Sequence, residues 1–181
     1  MAAVCDSVRS VSYFYRKCMD LLSLCEWLQN TGFGTYIRES TLAFPVIEGS
    51  HLLGLAAMLG PTLMFDLRLT GLAWKNEPVT KIYSQFLAVT QMGAILMMST
   101  GVVLFWSEAV KCYNSGYFRV KALGLVIAAI NAAIFHFGFY KTVGNWDNDP
   151  TPPARARLAG FTSMFIWAVV VLTGRYTAYT I

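Results

Sequence analysis

Two histidines, His51 and His136, are the only imidazoles in the chain, and both fall inside long apolar blocks. Ionisable groups at such positions are costly in a bilayer and mark function by default. Two imidazoles from two helices are the usual way a helix bundle holds a b-type haem. The expectation is therefore haem b, ligated by His51 and His136. Glu48 lies three residues before His51, on the same face of a helix. Its carboxylate is placed to accept the Nδ1–H and orient the ring, as the outer partners of ligating histidines do. Around His136 the chain is aromatic, with Phe135, Phe137, Phe139 and Tyr140, a lining that suits a porphyrin edge or lipid. Arg68 and Lys121 stand near span ends and are candidate contacts for haem propionates. Asn131, deep in a span, completes the candidate cofactor-binding set.

Each of these residues has a plainer reading. The histidines could hydrogen-bond across helices. Asp66 and Arg68 could form an interfacial ion pair. Lys121 could snorkel to the membrane surface, and Asn131 and Gln91 could bond neighbouring helices. The haem reading also meets a geometric objection. Measured from the span starts, the histidines differ in depth by about 7 Å, and from the span ends by about 15 Å. A single haem would need helix bending, for which Pro45 and Pro61 give the opportunity.

Copper is the competing metal, because Met58, Met64, Met92, Met97, Met98 and Met164 offer thioethers. Methionine is also an ordinary packing residue. The four cysteines, Cys5, Cys18, Cys25 and Cys112, form no C-x-x-C pair, and free thiols are expected. No nucleophile–base motif, phosphate loop or zinc motif occurs, so no catalytic residue is assigned.

The elements that must position these residues follow from composition. Hydrophobic residues make up 56% and charged residues 13% of the 181. Soluble domains carry about 25% charged residues, so a typical cytosolic enzyme, a disordered chain and a nucleic-acid binder are disfavoured. A span needs roughly 20 apolar residues. Four blocks qualify: Leu42–Phe65, Phe86–Trp106, Ala122–Tyr140 and Leu158–Gly174. They must be helices, because a lipid-exposed open sheet leaves backbone groups unpaired. Short polar links make neighbours antiparallel. The expected fold is all-α: an up-down four-helix transmembrane bundle over residues 41–181, preceded by an N-terminal segment 1–40. Within that segment Cys18, Leu21, Leu22, Cys25 and Leu28 give Lys17–Gln29 an amphipathic helical pattern, to lie in the interface or dock on the bundle. Ser50 with Gly54, and Gly124 with Ala128, mark close helix contacts.

Residues 1–12 lack an apolar core, so a cleaved signal peptide is not expected. Eight basic residues fall on the side of the termini against six on the other, which points to cytoplasmic termini. A bacterial inner membrane is the expected location. The expected partners are the lipid bilayer, quinone, and further copies of the chain or a larger membrane complex, and no nucleic acid.

Phe44-Pro45-Val46-Ile47-Glu48, then His51-Leu52-Leu53-Gly54, Asp66-Leu67-Arg68-Leu69 and Gly71 resemble the pattern of a bacterial family of small four-span membrane proteins without an assigned activity. Phe118, Lys121, Asn131 and Phe135-His136 fit the same pattern. A span histidine followed by an arginine, a lysine and a second histidine is more distantly similar to the membrane protoporphyrinogen oxidase and copper-resistance D families. The first of these binds haem, so that resemblance supports the haem reading; the expected function is an electron-carrying, cytochrome b-like subunit. The Ile47-Glu48 and Asp66-Leu67-Arg68 elements depart from both families. The alternatives that stay open are a non-redox accessory subunit of a larger membrane complex and a copper-handling membrane protein.

Overall fold

The computed structural model describes residues 21–179, which are helical throughout apart from short links and contain no strand. Helix α1 covers 21–29, α2 is Gly32–Glu39, α3 is Ala43–Thr70 and α4 is Val79–Ser107. The short α5, Ala109–Asn114, is followed by α6, Gly116–Phe137, by a 3-10 turn at Phe139–Asn145, and by α7, Ala154–Tyr179. Of these, α3, α4, α6 and α7 are long and apolar enough to cross a membrane. The chain is an integral membrane protein, as its composition requires. Helices α2 and α5 have no counterpart in the sequence reading. The start of the expected Lys17–Gln29 helix lies outside the described residues.

The spans run longer than hydropathy alone allots, and the reasons are local. Helix α3 passes Phe65 and carries Asp66 and Arg68 inside its last turns. It stops at Gly71, whose φ of 73° is left-handed and whose neighbour Leu72 donates its amide to Leu67 O at 3.1 Å, a glycine-terminated helix end. Helix α4 begins seven residues before Phe86, directly after Pro78, whose fixed φ suits a helix start. Helix α6 begins at Gly116 rather than Ala122, because Ser115 Oγ caps it by accepting from Phe118 N. Arg119 and Lys121 therefore lie within the helix.

The four spans do not form a square. Helices α3 and α4 make one tight antiparallel hairpin, α6 and α7 make another, and the hairpins join through α3 against α7. Glycines permit the closest approaches. A Cβ on Gly93 would lie 2.5 Å from Met58 N, and one on Gly54 would lie 2.8 Å from Met97 N. A Cβ on Gly160 would lie 3.0 Å from Asp66 O, where α3 meets α7. Helices α4 and α6 barely touch. The bundle is thus a folded sheet of helices in the order α4, α3, α7, α6, with a seam left between its two outer members.

One end of the bundle is closed by Arg68. Its side chain is fully buried. Nε donates to the Glu77 carbonyl at 2.7 Å, and Nη2 donates to the carbonyls of Asp147 and Asp149 at 3.2 and 3.0 Å. The α3–α4 link and the α6–α7 link are thereby gathered on one guanidinium. Asp147 returns the connection. Its carboxylate accepts from Thr80 N at 2.8 Å and Thr80 Oγ1 at 2.7 Å, and its carbonyl accepts from Val79 N at 3.1 Å. These bonds satisfy amides at the α4 N-terminus. Leu69, Val79, Phe135, Trp146 and Ala156 pack beside this knot as the buried apolar cluster.

At the other end, Gln29 Oε1 accepts from Val110 N at 3.0 Å, and Thr31 Oγ1 accepts from Trp106 Nε1 at 2.9 Å. The N-terminal helices therefore dock on the bundle rather than stand apart from it.

Replacing Arg68 by Met should lower stability by about 3 kcal/mol, since three loop carbonyls lose a charged donor that is itself buried. Arg68→Lys should recover only part of it, because an ammonium lacks the planar fork. Thermal unfolding of the detergent-solubilised chain reads this, and a wild-type melting temperature for Arg68→Met would refute the clamp.

Candidate functional site

A cavity of about 440 Å³ lies among α3, α4, α6 and α7, lined from both sides of the seam between α4 and α6. Its floor is α3 and α7, with Pro61, Thr62, Phe65, Asp66, Ser163 and Trp167. Its walls are Tyr83, Phe86, Thr90 and Met97 from α4, and Ala128, Asn131, Ala132 and His136 from α6. The volume falls in the range of sites for small organic ligands. The lining is chiefly apolar and aromatic, with a few polar groups.

Those polar groups differ in how far the protein satisfies them. Asn131 Nδ2 donates to the Ala159 carbonyl at 3.1 Å, the interhelical bond its position suggests. The Thr62 hydroxyl donates to Met58 O at 2.7 Å, and that of Thr90 to Phe86 O at 3.0 Å. Asp66 is different. It is 4% exposed and hydrogen-bonds the Ser163 hydroxyl, but its Oδ2 has no partner. Near it, Phe65 meets Phe135 edge-on at 5.7 Å and Tyr83 at 5.6 Å. Tyr83 in turn contacts His136 at 5.5 Å and Tyr140 at 4.8 Å. Burial, reinforced by the charges of Tyr83 and Asp147, holds the Tyr140 phenol above its ordinary range.

His136 lines this cavity, and His51 does not. The His51 Nδ1 lies 3.0 Å from the Met97 carbonyl and 3.1 Å from Thr100 Oγ1. A carbonyl can only accept, so Nδ1 carries the proton and Nε2 keeps its lone pair. The ring packs on Gly101, where a Cβ would lie 3.1 Å from Cε1. Glu48 is exposed, and the Nδ1 hydrogen bond expected for it goes to α4 instead.

Helix α4 gives a ruler between the histidines. His51 sits against Thr100 and His136 against Tyr83. Seventeen residues of helix separate those positions, about 25 Å at 1.5 Å per residue. His51 lies in the first third of α3, and His136 is the penultimate residue of α6, which runs in the same direction. The two nitrogens cannot reach one iron, so a single haem held by both histidines does not fit this geometry. The depth offset read from the sequence was too small in part because α6 begins six residues before the apolar block.

The other candidates divide between the two ends. Lys121 lies half-buried along α7, with its Nζ 3.6 Å from the place a Cβ on Gly174 would take. It shares the His51 end. Asn131 belongs to the cavity. Arg68 is spent on loop carbonyls and offers no face to a propionate. The ion pairs among the described residues join Arg38 to Glu39, Lys81 to Glu77 and Lys111 to Glu108, so Asp66 and Arg68 are not paired. Met58, Met97 and Met98 line the cavity. No group of three or more His, Cys, Asp or Glu gathers among the described residues to hold a metal. The sequence reading passed over Asp66 as a site residue. Its signal was a lone acid two residues before a buried arginine, at the end of an apolar run.

Cys25 and Cys112 are buried free thiols. Burial, then the charge of Glu108, pushes the Cys112 thiol up to about 11, so it is not a reactive nucleophile at neutral pH. In a chain whose other cysteines are serine, alkylation of Cys112 by iodoacetamide should rise through about pH 11. A midpoint near pH 8.5, the ordinary thiol value, would show that the thiol is solvated. The sign for stability is negative: above the ordinary thiol pKa the unfolded chain loses its proton first, so folding weakens as pH rises toward 11.

No curated protein and no solved structure matches the chain. Residues 24–180, from within α1 through the last span, match one family model, and the chain belongs to the family of unknown function DUF6644.

Proposed function

We propose that the chain is a membrane-embedded binding protein for a flat, lipid-soluble molecule of the quinone class, seated in the cavity between α3, α4, α6 and α7. The observation that carries this reading is the cavity itself. It is walled by Phe65, Tyr83, Phe86, Phe135 and Trp167, and it opens at a seam where two spans barely touch. A ligand dissolved in the bilayer reaches such a site sideways without crossing water. Aromatic walls favour a planar ring through offset and edge-on contacts. A few polar groups among apolar ones fix orientation, and Asp66, Ser163, Asn131 and His136 supply them. An accessory subunit without a ligand has no use for a buried acid facing an open seam. A haem bridging the two histidines is not supported by their separation.

Trp167 reports on the site. In a chain with Trp27, Trp74, Trp106 and Trp146 changed to Phe, duroquinone should quench the Trp167 emission saturably. Filling the cavity with Ala132→Phe should weaken that quenching about tenfold or more, as overpacking displaces the ligand. A chain retaining only the exposed Trp27 controls for quencher dissolved in detergent. Quenching of Trp167 that is linear, and equal to that of Trp27, would overturn the reading.

A further inference from the structure

The cavity treats its polar lining unevenly, and the unevenness has a chemical sign. The Asn131 amide and the Thr62 and Thr90 hydroxyls donate to carbonyls of the protein itself. Asp66 keeps one carboxyl oxygen on Ser163 and leaves Oδ2 bare, although the residue is 4% exposed. Among the described residues only Arg68 Nη1 is a second buried side-chain atom in that condition, and Arg68 does not line the cavity. A buried polar atom without a partner is expensive, and in a membrane span the expense marks function. The missing partner must arrive from the cavity, and for the ionised carboxylate it must bring a hydrogen.

Resting on the quinone-class reading above, we infer that the cavity selects the reduced, hydroxylated form of its ligand, with one quinol hydroxyl donating to Asp66 Oδ2. A quinone has two carbonyl oxygens and no donor, so it would leave Oδ2 unsatisfied and set oxygen against oxygen. A quinol of the same shape satisfies it. Sites that hydrogen-bond a substrate hydroxyl reject the analogue lacking it far more strongly than apolar pockets separate near-isosteres. A lipophilic cation would also complement a carboxylate. A neutral diol, however, enters from lipid without carrying charge into the bilayer, and the rest of the lining is neutral. Ser163 has a positioning role: its hydroxyl holds the other carboxyl oxygen.

The experiment uses the full-length chain in detergent with Trp167 as its only tryptophan. Duroquinone affinity is read by quenching, and duroquinol affinity by the competitive relief of quenching when duroquinol is added anaerobically to a fixed concentration of duroquinone. Duroquinol should bind about tenfold tighter or more. Asp66→Asn keeps the shape but presents an N–H, so it should lower or invert the preference while quinone quenching persists. Ser163→Ala should retain the preference in reduced form. Equal affinities in the unaltered chain, or tighter quinone binding, would overturn the inference while leaving the cavity reading intact, and this comparison does not depend on whether Asp66→Asn folds. Tighter binding of tetraphenylphosphonium than of duroquinol would overturn it in favour of a cation site. Binding of none of the probes would remove the inference together with the reading beneath it.

Discussion

A guanidinium taken out of water at the end of a membrane helix has to be given oxygen atoms, and three loop carbonyls supply them to Arg68. Much else depends on that exchange. The carbonyls belong to two links that are far apart in sequence, so satisfying one side chain fixes where both hairpins end. Asp147, drawn to the same place, then holds the first turn of α4 through Thr80 and Val79. The buried cluster of Leu69, Val79, Phe135, Trp146 and Ala156 packs against this polar knot. In lipid there is no hydrophobic drive to bring spans together, so close packing and hydrogen bonds must do it. Here the glycine contacts act along the length of the helices and the arginine acts at their end.

The same arrangement explains why an opening exists at all. Two hairpins packed chiefly through α3 and α7, with α4 and α6 meeting at side chains such as Tyr83 and His136, leave a gap between α4 and α6. The knot prevents the hairpins from rolling together to close the gap, because both links are held on one side chain. The bulk of Phe65, Tyr83 and Phe135, in contact at the Arg68 end, props the walls apart. A space lined with rings between the spans is therefore a consequence of how the bundle is tied.

The fold was largely legible in the sequence, and the site only partly. Four apolar blocks and their short links sufficed for four antiparallel spans. The boundaries were not legible where hydropathy and helix diverge: Arg119 and Lys121 read as a link, yet the Ser115 cap starts α6 ahead of them. That shift accounts for part of the added separation between His136 and His51, since six residues of α6 are worth about 9 Å; α3 running on to Thr70 and α6 stopping at Phe137 add to it. Gly54 and Gly124 were legible as contact points. Gly93, which allows the closest approach, carried no small-residue partner at helical spacing and went unread. Rarity drew attention to the histidines, but rarity says nothing of which face or which level a side chain occupies. Asp66 and Arg68 looked like an ion pair because charges two residues apart invite that reading. On a helix, positions i and i+2 point to different sides, and the two residues serve different neighbours.

That divergence gives the end of α3 its character. Arg68 turns outward from the helix bundle's interior to the links and finds three acceptors there. Asp66 turns to α7 and the cavity and finds one donor, Ser163. Were the pair a structural ion bridge, each would satisfy the other, and removing both together would be close to neutral. Because they are not paired, each needs its own account. The arginine's account is complete within the chain except at Nη1, and it is architectural. The carboxyl's account is incomplete within the chain: Oδ2 has no partner, and Asp66 lines the cavity. A fold that had only to be stable would have placed an apolar residue there, like the neighbouring Phe65 and Leu69.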